Sequence, residues 1–197
     1  KSPVLVLDTD IVKNETEEEE IISEISKPKS SVLVATQMVF SHRFYLNFDL
    51  IAIVNADALV NMPDFRSEEN LFYQTEKLVN FEPKKLLAQT YNPENKLMEK
   101  AAQGDYVDFY ENELKLREVL NYPPFFKLIK LTFRHKDRDK ASYAARVATE
   151  KLKMAIARAR LGEDIKLIEA VPAYIEKERG LYIYNIFLKV REGYENV

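Results

Sequence analysis

Ser31-Val-Leu-Val-Ala35 and Leu50-Ile-Ala-Ile-Val54 are two short runs almost without polar side chains, the second ending in Asn55-Ala56-Asp57. A strand with one wet face alternates apolar and polar residues. Runs that stay apolar throughout fit strands buried on both faces, as in parallel sheets. Working outward, Val4–Leu7 has the same character and ends in Asp8-Thr9-Asp10. Residues 15–25 place Ile21, Ile22 and Ile25 on one side of a helix and crowd acids at its start, where the helix dipole favours them. Lys27-Pro28-Lys29-Ser30 breaks that helix. Residues 66–80 read as helical and 86–89 as a fourth strand. Strands alternating with helices predict an α/β arrangement with its sheet covered on both faces, and four short strands make an incomplete one.

The second half has a different pattern. Residues 93–121 read as helices, with Gly104 separating two of them. Tyr122-Pro123-Pro124 imposes a stiff extended turn. Residues 125–133 form a strand, with Phe125 and Phe126 expected on opposite faces and at least one of them in the core. The clearest helix covers 138–161, with Ala141, Ala144, Ala145, Ala148, Leu152, Ala155, Ile156 and Ala159 as its apolar stripe. Two more strands, 165–171 and 181–190, are joined through Pro172 and the turn Glu178-Arg179-Gly180. The order β-α-β-β predicts an α+β module, one long helix on a small antiparallel sheet.

The net charge of −3 conceals an asymmetry. Residues 1–92 hold 9 Lys/Arg and 15 Asp/Glu (−6), and residues 93–197 hold 20 and 17 (+3). The basic half is the better candidate for touching phosphates. No apolar run nears the roughly 18 residues of a membrane span, and the opening Lys1-Ser2-Pro3 leads into strand pattern, so no signal peptide is expected. With no Cys, the sequence holds neither disulfides nor thiolate zinc sites, and a cytoplasmic location fits. The four glycines are isolated, so no glycine-rich loop is present to cradle a nucleotide phosphate. His42 and His135 lie far apart in sequence, and close acids such as Asp8/Asp10 and Asp137/Asp139 read as turn or cap residues.

Several stretches carry a resemblance. They are Val32-Leu-Val-Ala-Thr-Gln-Met38, Leu50-Ile-Ala-Ile-Val-Asn-Ala-Asp57 and Pro63-Asp-Phe-Arg-Ser-Glu-Glu69. Further along come Gln89-Thr-Tyr-Asn-Pro-Glu94, Arg117-Glu-Val-Leu-Asn-Tyr-Pro-Pro-Phe125 and Val171-Pro-Ala173 with Gly180-Leu-Tyr182 and Phe187-Leu-Lys189. In this order they resemble the C-terminal part of the PriA-type replication-restart helicases (primosomal protein N-prime). The resemblance implies a truncated RecA-like parallel-sheet lobe at 1–92. A helical connector and a small β-α-β-β C-terminal domain would then fill 93–197.

Two departures bear on activity. The family follows Thr-Gln-Met with a Lys-Gly pair in a DNA-contacting loop, whereas here the loop reads Val39-Phe-Ser-His-Arg-Phe44. The family's glycine- and arginine-rich segment, whose arginines reach the γ-phosphate, is here Lys77-Leu-Val-Asn-Phe-Glu-Pro-Lys-Lys85, with neither Gly nor Arg. The family uses ATP, Mg and Zn, so the resemblance implies that those sites lie upstream or are lost, leaving a non-catalytic region with degenerate ATPase motifs. It also implies single-stranded or forked DNA, single-stranded-DNA-binding protein and primosome components as partners, and no membrane.

The residues suggest where DNA would bind. Lys140, Arg146, Lys151, Lys153, Arg158 and Arg160 lie off the alanine stripe of the long helix. Lys177 and Arg179 precede the last strand, and Tyr182 and Tyr184 alternate along it, where they could stack on unpaired bases. The alternative is a solvated helix face above two core tyrosines. At the level of the whole chain, the rival is a protein-interaction module that has lost DNA binding.

Overall fold

The computed structural model describes residues 2–27 and 29–193. Pro28, expected to break the first helix, lies outside the described residues. The chain divides into two compact units, Lys1–Phe109 and Tyr110–Val197.

The first unit holds two separate pairs of parallel strands. Strand β1 (Val4–Leu7) pairs with β2 (Val32–Ala35) through helix α1 (Glu15–Ile25). Strand β3 (Leu50–Ile53) pairs with β4 (Lys85–Ala88) through α2 (Asp57–Val60) and α3 (Ser67–Val79). The start of α1 is set by Asn14, whose side chain accepts the Glu17 N–H at 3.0 Å, while the Glu17 carboxylate accepts the Lys13 N–H at 2.8 Å. A 3-10 turn at Gln37–His42 follows β2. Leu7, Val12, Val39, Leu46 and Phe81 are buried together, with Ile21, Ile22, Leu33 and Ile51 packed against them.

Alternate residues of these strands face water. Val4, Val32, Val34, Leu50 and Leu87 are all exposed. The expected sheet covered on both faces is therefore corrected: among the described residues there are two two-stranded parallel pairs, each with one face open. A second cluster joins Leu71 and Phe72 of α3 to Leu97 and Ala101 of α4 (Leu97–Gln103) and Phe109 of α5 (Tyr106–Val119). The rings of Phe72 and Phe109 stack at 4.3 Å. Gly104 caps α4 at φ 72°, the left-handed conformation that glycine adopts without penalty.

The second unit matches the expected β-α-β-β order. Strands β5 (Phe126–His135), β6 (Ile165–Glu178) and β7 (Leu181–Arg191) form one antiparallel sheet in the order β5-β7-β6, and α6 (Arg138–Ala159) lies on it. Asp137 caps α6 by accepting the N–H groups of Asp139 and Lys140 at 2.9 and 3.2 Å. Phe126 is the buried ring of its pair and Phe125 sits in the preceding turn. Strand β6 runs well past residue 171. Pro172 is tolerated because β6 is an edge strand with register shifts on both sides of that residue. The turn between β6 and β7 is two residues long, Arg179 at φ 48° and Gly180 at φ 81°, the positive-φ pair a tight hairpin requires.

Thr75 on α3 is 1% exposed and its hydroxyl has no hydrogen-bond partner among the described residues. Thr149 on α6, also buried, donates to the Ala145 carbonyl at 3.0 Å instead. A buried hydroxyl without a partner costs about 1–3 kcal/mol. Thr75→Val keeps the shape and removes that group, so urea unfolding is expected to show a gain of roughly 1 kcal/mol, with Thr149→Val showing none.

Candidate nucleic-acid interface

Helix α6 turns about 100° per residue, which distributes its side chains around the axis. The side facing the sheet carries Ala141, Ala145, Ala148, Thr149, Leu152 and Ile156, all buried or half-buried. Ala144, Ala155 and Ala159, expected in the stripe, are exposed, and Thr149 takes a core place instead. The buried seam is thus rotated toward Thr149, and the basic residues fall on two flanks rather than one.

Lys140, Lys151 and Arg158 lie within about 20° of one another around the axis. All three are exposed, and no acid pairs with any of them among the described residues. Arg146 and Lys153 lie on the opposite flank. Lys153 is engaged there, its ammonium 2.7 Å from Glu169 and 3.0 Å from Glu150. Hydrogen bonds to Glu169 and then Glu150 hold Lys153 above the ordinary lysine range. Arg160 is the left-handed residue that ends α6, at φ 58°. Arg179 and Lys177 stand at the hairpin, with the Lys177 ammonium 4.8 Å from the Tyr182 ring centre. Arg138 pairs with Glu176 at 2.5 Å, and that hydrogen bond raises the arginine's pKa.

Tyr184 is 9% exposed and belongs to the cluster with Ala141 and Ala145, and Tyr182 is partly buried against the same cluster. The two tyrosines therefore stand in the core beneath α6, apart from the outward stripe of basic residues. Tyr143, which no charge or apolar pattern singles out, is 65% exposed on the outer side of α6. Phe44 and Tyr45 are also exposed, with the Arg43 guanidinium 5.5 Å from the Phe44 ring. They occupy the loop after the 3-10 turn, where the sequence departs from the Lys-Gly pattern. The signal that could have found all three is an aromatic ring off every apolar stripe.

Two basic residues within the recognised stretches have structural partners. Arg117 is little exposed, pairs with Glu113 at 2.7 Å and approaches the Pro123 carbonyl at 3.5 Å. Lys189 of β7 donates to the Leu120 carbonyl at 2.7 Å, and its ammonium lies 3.6 Å from the Tyr122 ring centre. Burial pushes the Lys189 pKa below the ordinary lysine value. Together they pin the turn that leads into β5. Asp57 does the same job in the first unit, accepting from the Thr90 hydroxyl and the Tyr91 N–H at 2.9 Å each. Among the described residues no three His, Asp or Glu side chains gather where they could hold a metal ion. No helix there is long and apolar enough to cross a membrane.

Residues 118–196 match the family described as Primosomal protein N C-terminal domain. The chain is similar to the replication restart protein PriA of Bacillus subtilis, 26% identical over 96% of this chain and 24% of the relative. It is 31% identical to the PriA of Borreliella burgdorferi, over 91% of this chain and 27% of that protein. It is 32% identical to the PriA of Treponema pallidum, over 82% and 24%. The chain thus spans about a quarter of the length of the curated relatives it matches.

The Lys189 clamp can be tested apart from any ligand. Lys189→Ala removes the donor to Leu120 and the contact with Tyr122, and should cost about 1–3 kcal/mol in urea unfolding. The folded chain holds the Lys189 proton less tightly than the unfolded chain does. Stability from this group therefore rises with pH as it approaches the unfolded value of 10.5. In a pH series of unfolding midpoints in the alkaline range, the stability difference between the wild type and the variant should therefore grow as pH rises.

Proposed function

Because the chain belongs to the PriA replication-restart family, as a C-terminal portion of it, we propose that it is a non-catalytic DNA-binding and scaffolding region. In this reading residues 1–92 are what remains of a RecA-like helicase lobe. The parallel pairing of β1 with β2 and of β3 with β4, each through helical crossovers, supports it. Residues 93–197 are the connector and C-terminal domain, which holds single-stranded or forked DNA. The ATP, Mg and Zn sites of the family fall outside this chain or are lost from it: it has no glycine-rich loop, no Arg or Gly in 77–85 and no Cys.

The observation that carries the reading is the row of Lys140, Lys151 and Arg158 along one flank of α6, exposed and without acidic partners among the described residues. Cations left unpaired in a row can neutralise successive phosphates. Each phosphate contact on a single strand adds about 0.7 to the salt slope of binding. Lys153, held by Glu150 and Glu169, contributes less to such a track than its position in the sequence suggests.

A second reading has its own support. Between Pro172 and Lys177 strand β6 bulges away from β7, leaving Tyr174 80% and Ile175 64% exposed. Adjacent exposed apolar side chains of this kind mark protein-interaction sites. In that reading the chain is an interaction module, for example for single-stranded-DNA-binding protein, that has lost DNA binding.

Binding of a labelled single strand across a salt series separates the two. The triple variant Lys140→Ala, Lys151→Ala, Arg158→Ala is expected to bind more weakly, with the salt slope reduced by about 2 and the melting temperature unchanged. An unchanged slope in that folded variant removes the track and leaves the interaction module as the better account. Phosphate release with forked DNA should stay below about 0.1 per second, under the ordinary enzyme range, and faster DNA-stimulated turnover contradicts the non-catalytic reading.

A further inference from the structure

The crest of α6 has a composition that the basic row alone does not explain. Lys140, Tyr143, Val147, Lys151, Met154 and Arg158 succeed one another at intervals of three and four residues. At about 100° per residue they fall within roughly 80° of arc, opposite the seam that packs on the sheet. Tyr143 is 65% and Met154 64% exposed, and only Val147 is half-buried. No acid belongs to this stripe. From Lys140 to Arg158 it extends about 27 Å at 1.5 Å per residue.

We propose that Tyr143 is a base-stacking platform, set between the phosphate-binding side chains Lys140 and Lys151, and that the ligand of this stripe is an unpaired nucleic-acid strand. The proposal rests on the DNA-binding reading above and gives it a residue that touches bases. A ring can stack on a base only if one face is open to solvent. Tyr184 and Tyr182 lie in or against the core with Ala141 and Ala145, whereas Tyr143 stands free on the helix. Stacking needs no groove, because a base lays its flat face on the ring and every base has such a face. Lys140 lies one turn before the ring and Lys151 two turns after it, so phosphates on either side of a stacked nucleotide meet a cation. Duplex DNA has its bases inside and offers the ring nothing to stack on. An acidic peptide with apolar residues could also use Tyr143 and Met154, but a convex helix crest gives it little to bury against. Helical and extended peptides are bound in grooves or at sheet edges.

The whole 197-residue chain has no Trp, so Tyr143→Trp creates a single fluorescent reporter at the site. The probes are an oligothymidylate strand, an abasic strand of equal length, and a duplex. Tyr143→Ala lies on an exposed helix face and should melt like the wild type. It is expected to bind oligothymidylate about tenfold more weakly with an unchanged salt slope, and to bind the abasic strand and the duplex as the wild type does. Tyr143→Trp should retain binding, with its emission quenched by oligothymidylate and not by the abasic strand. If Tyr143→Ala binds oligothymidylate normally while the triple basic variant loses salt slope, the phosphate track stands and the stacking proposal falls. Equal losses on the normal and abasic strands also overturn it. If no single strand binds the wild type, and an acidic apolar peptide binds and is lost in Tyr143→Ala, both the proposal and the reading beneath it fail in favour of a protein partner.

Discussion

Strand β7 is hydrogen-bonded on both edges, to β5 along ten residues and to β6 through a broken register, and the C-terminal unit is organised around it. Ile183, Tyr184, Asn185 and Ile186 are buried in succession, which needs cover on both faces of the strand. On one face Tyr184 meets Ala141 and Ala145, whose small side chains let α6 lie close to the sheet. The one buried amide in the run, Asn185, is satisfied across the sheet by the Thr132 hydroxyl at 3.0 Å. The exit of β7 carries Lys189, which ties the sheet back to the turn before β5. Removing the central strand would therefore release the helix seat, the cross-strand polar pair and the turn together.

The first unit works under a different constraint. Parallel pairs without a common ladder can bury only the face they share with a core, and here Leu33 and Ile51 point to one apolar cluster while Val32, Val34 and Leu50 face outward. The rest of the unit is held by local devices. Asn14 and Glu17 fix the start of α1, and Asp57 bridges the ends of β3 and β4 through Thr90 and Tyr91. The rings of Phe72 and Phe109 hold the helical cluster. Those devices explain why the recognisable stretches at 50–57 and 89–94 come as a pair in sequence: one supplies the carboxylate and the other the donors that meet it.

The elements themselves were legible in the sequence because their signals are local. Asp137 before α6, Gly104 after α4 and Arg179-Gly180 between β6 and β7 each mark a boundary through one side chain or one backbone conformation. Burial was less legible, because it depends on what lies opposite. The apolar runs 31–35 and 50–54 read as strands covered on both faces, and one face of each is open. The alanine stripe of α6 is legible, but its edge lies one residue's width away, at Thr149, since composition does not say which side of an alanine-rich helix meets the sheet. Alternation put Tyr182 and Tyr184 on one face correctly but could not say that α6 covers that face. A count of basic residues likewise could not separate Lys153, held by two glutamates, from Lys151, held by none.

The charged residues of the motif stretches read from the sequence and those proposed to touch DNA are different sets. Arg117, Lys189 and Asp57 lie within the recognised stretches, and each has a partner that fixes a turn or joins two strands. A cation committed to a backbone carbonyl, as Lys189 is to Leu120, is already desolvated and has less to offer a phosphate. Lys140, Lys151 and Arg158 lie outside those stretches and are exposed, with no acidic partner among the described residues. A surface contact that depends on counterion release needs cations of the second kind. On the proposed reading, Arg117 and Lys189 serve the fold, and phosphate contacts fall to the side chains that the fold leaves unengaged.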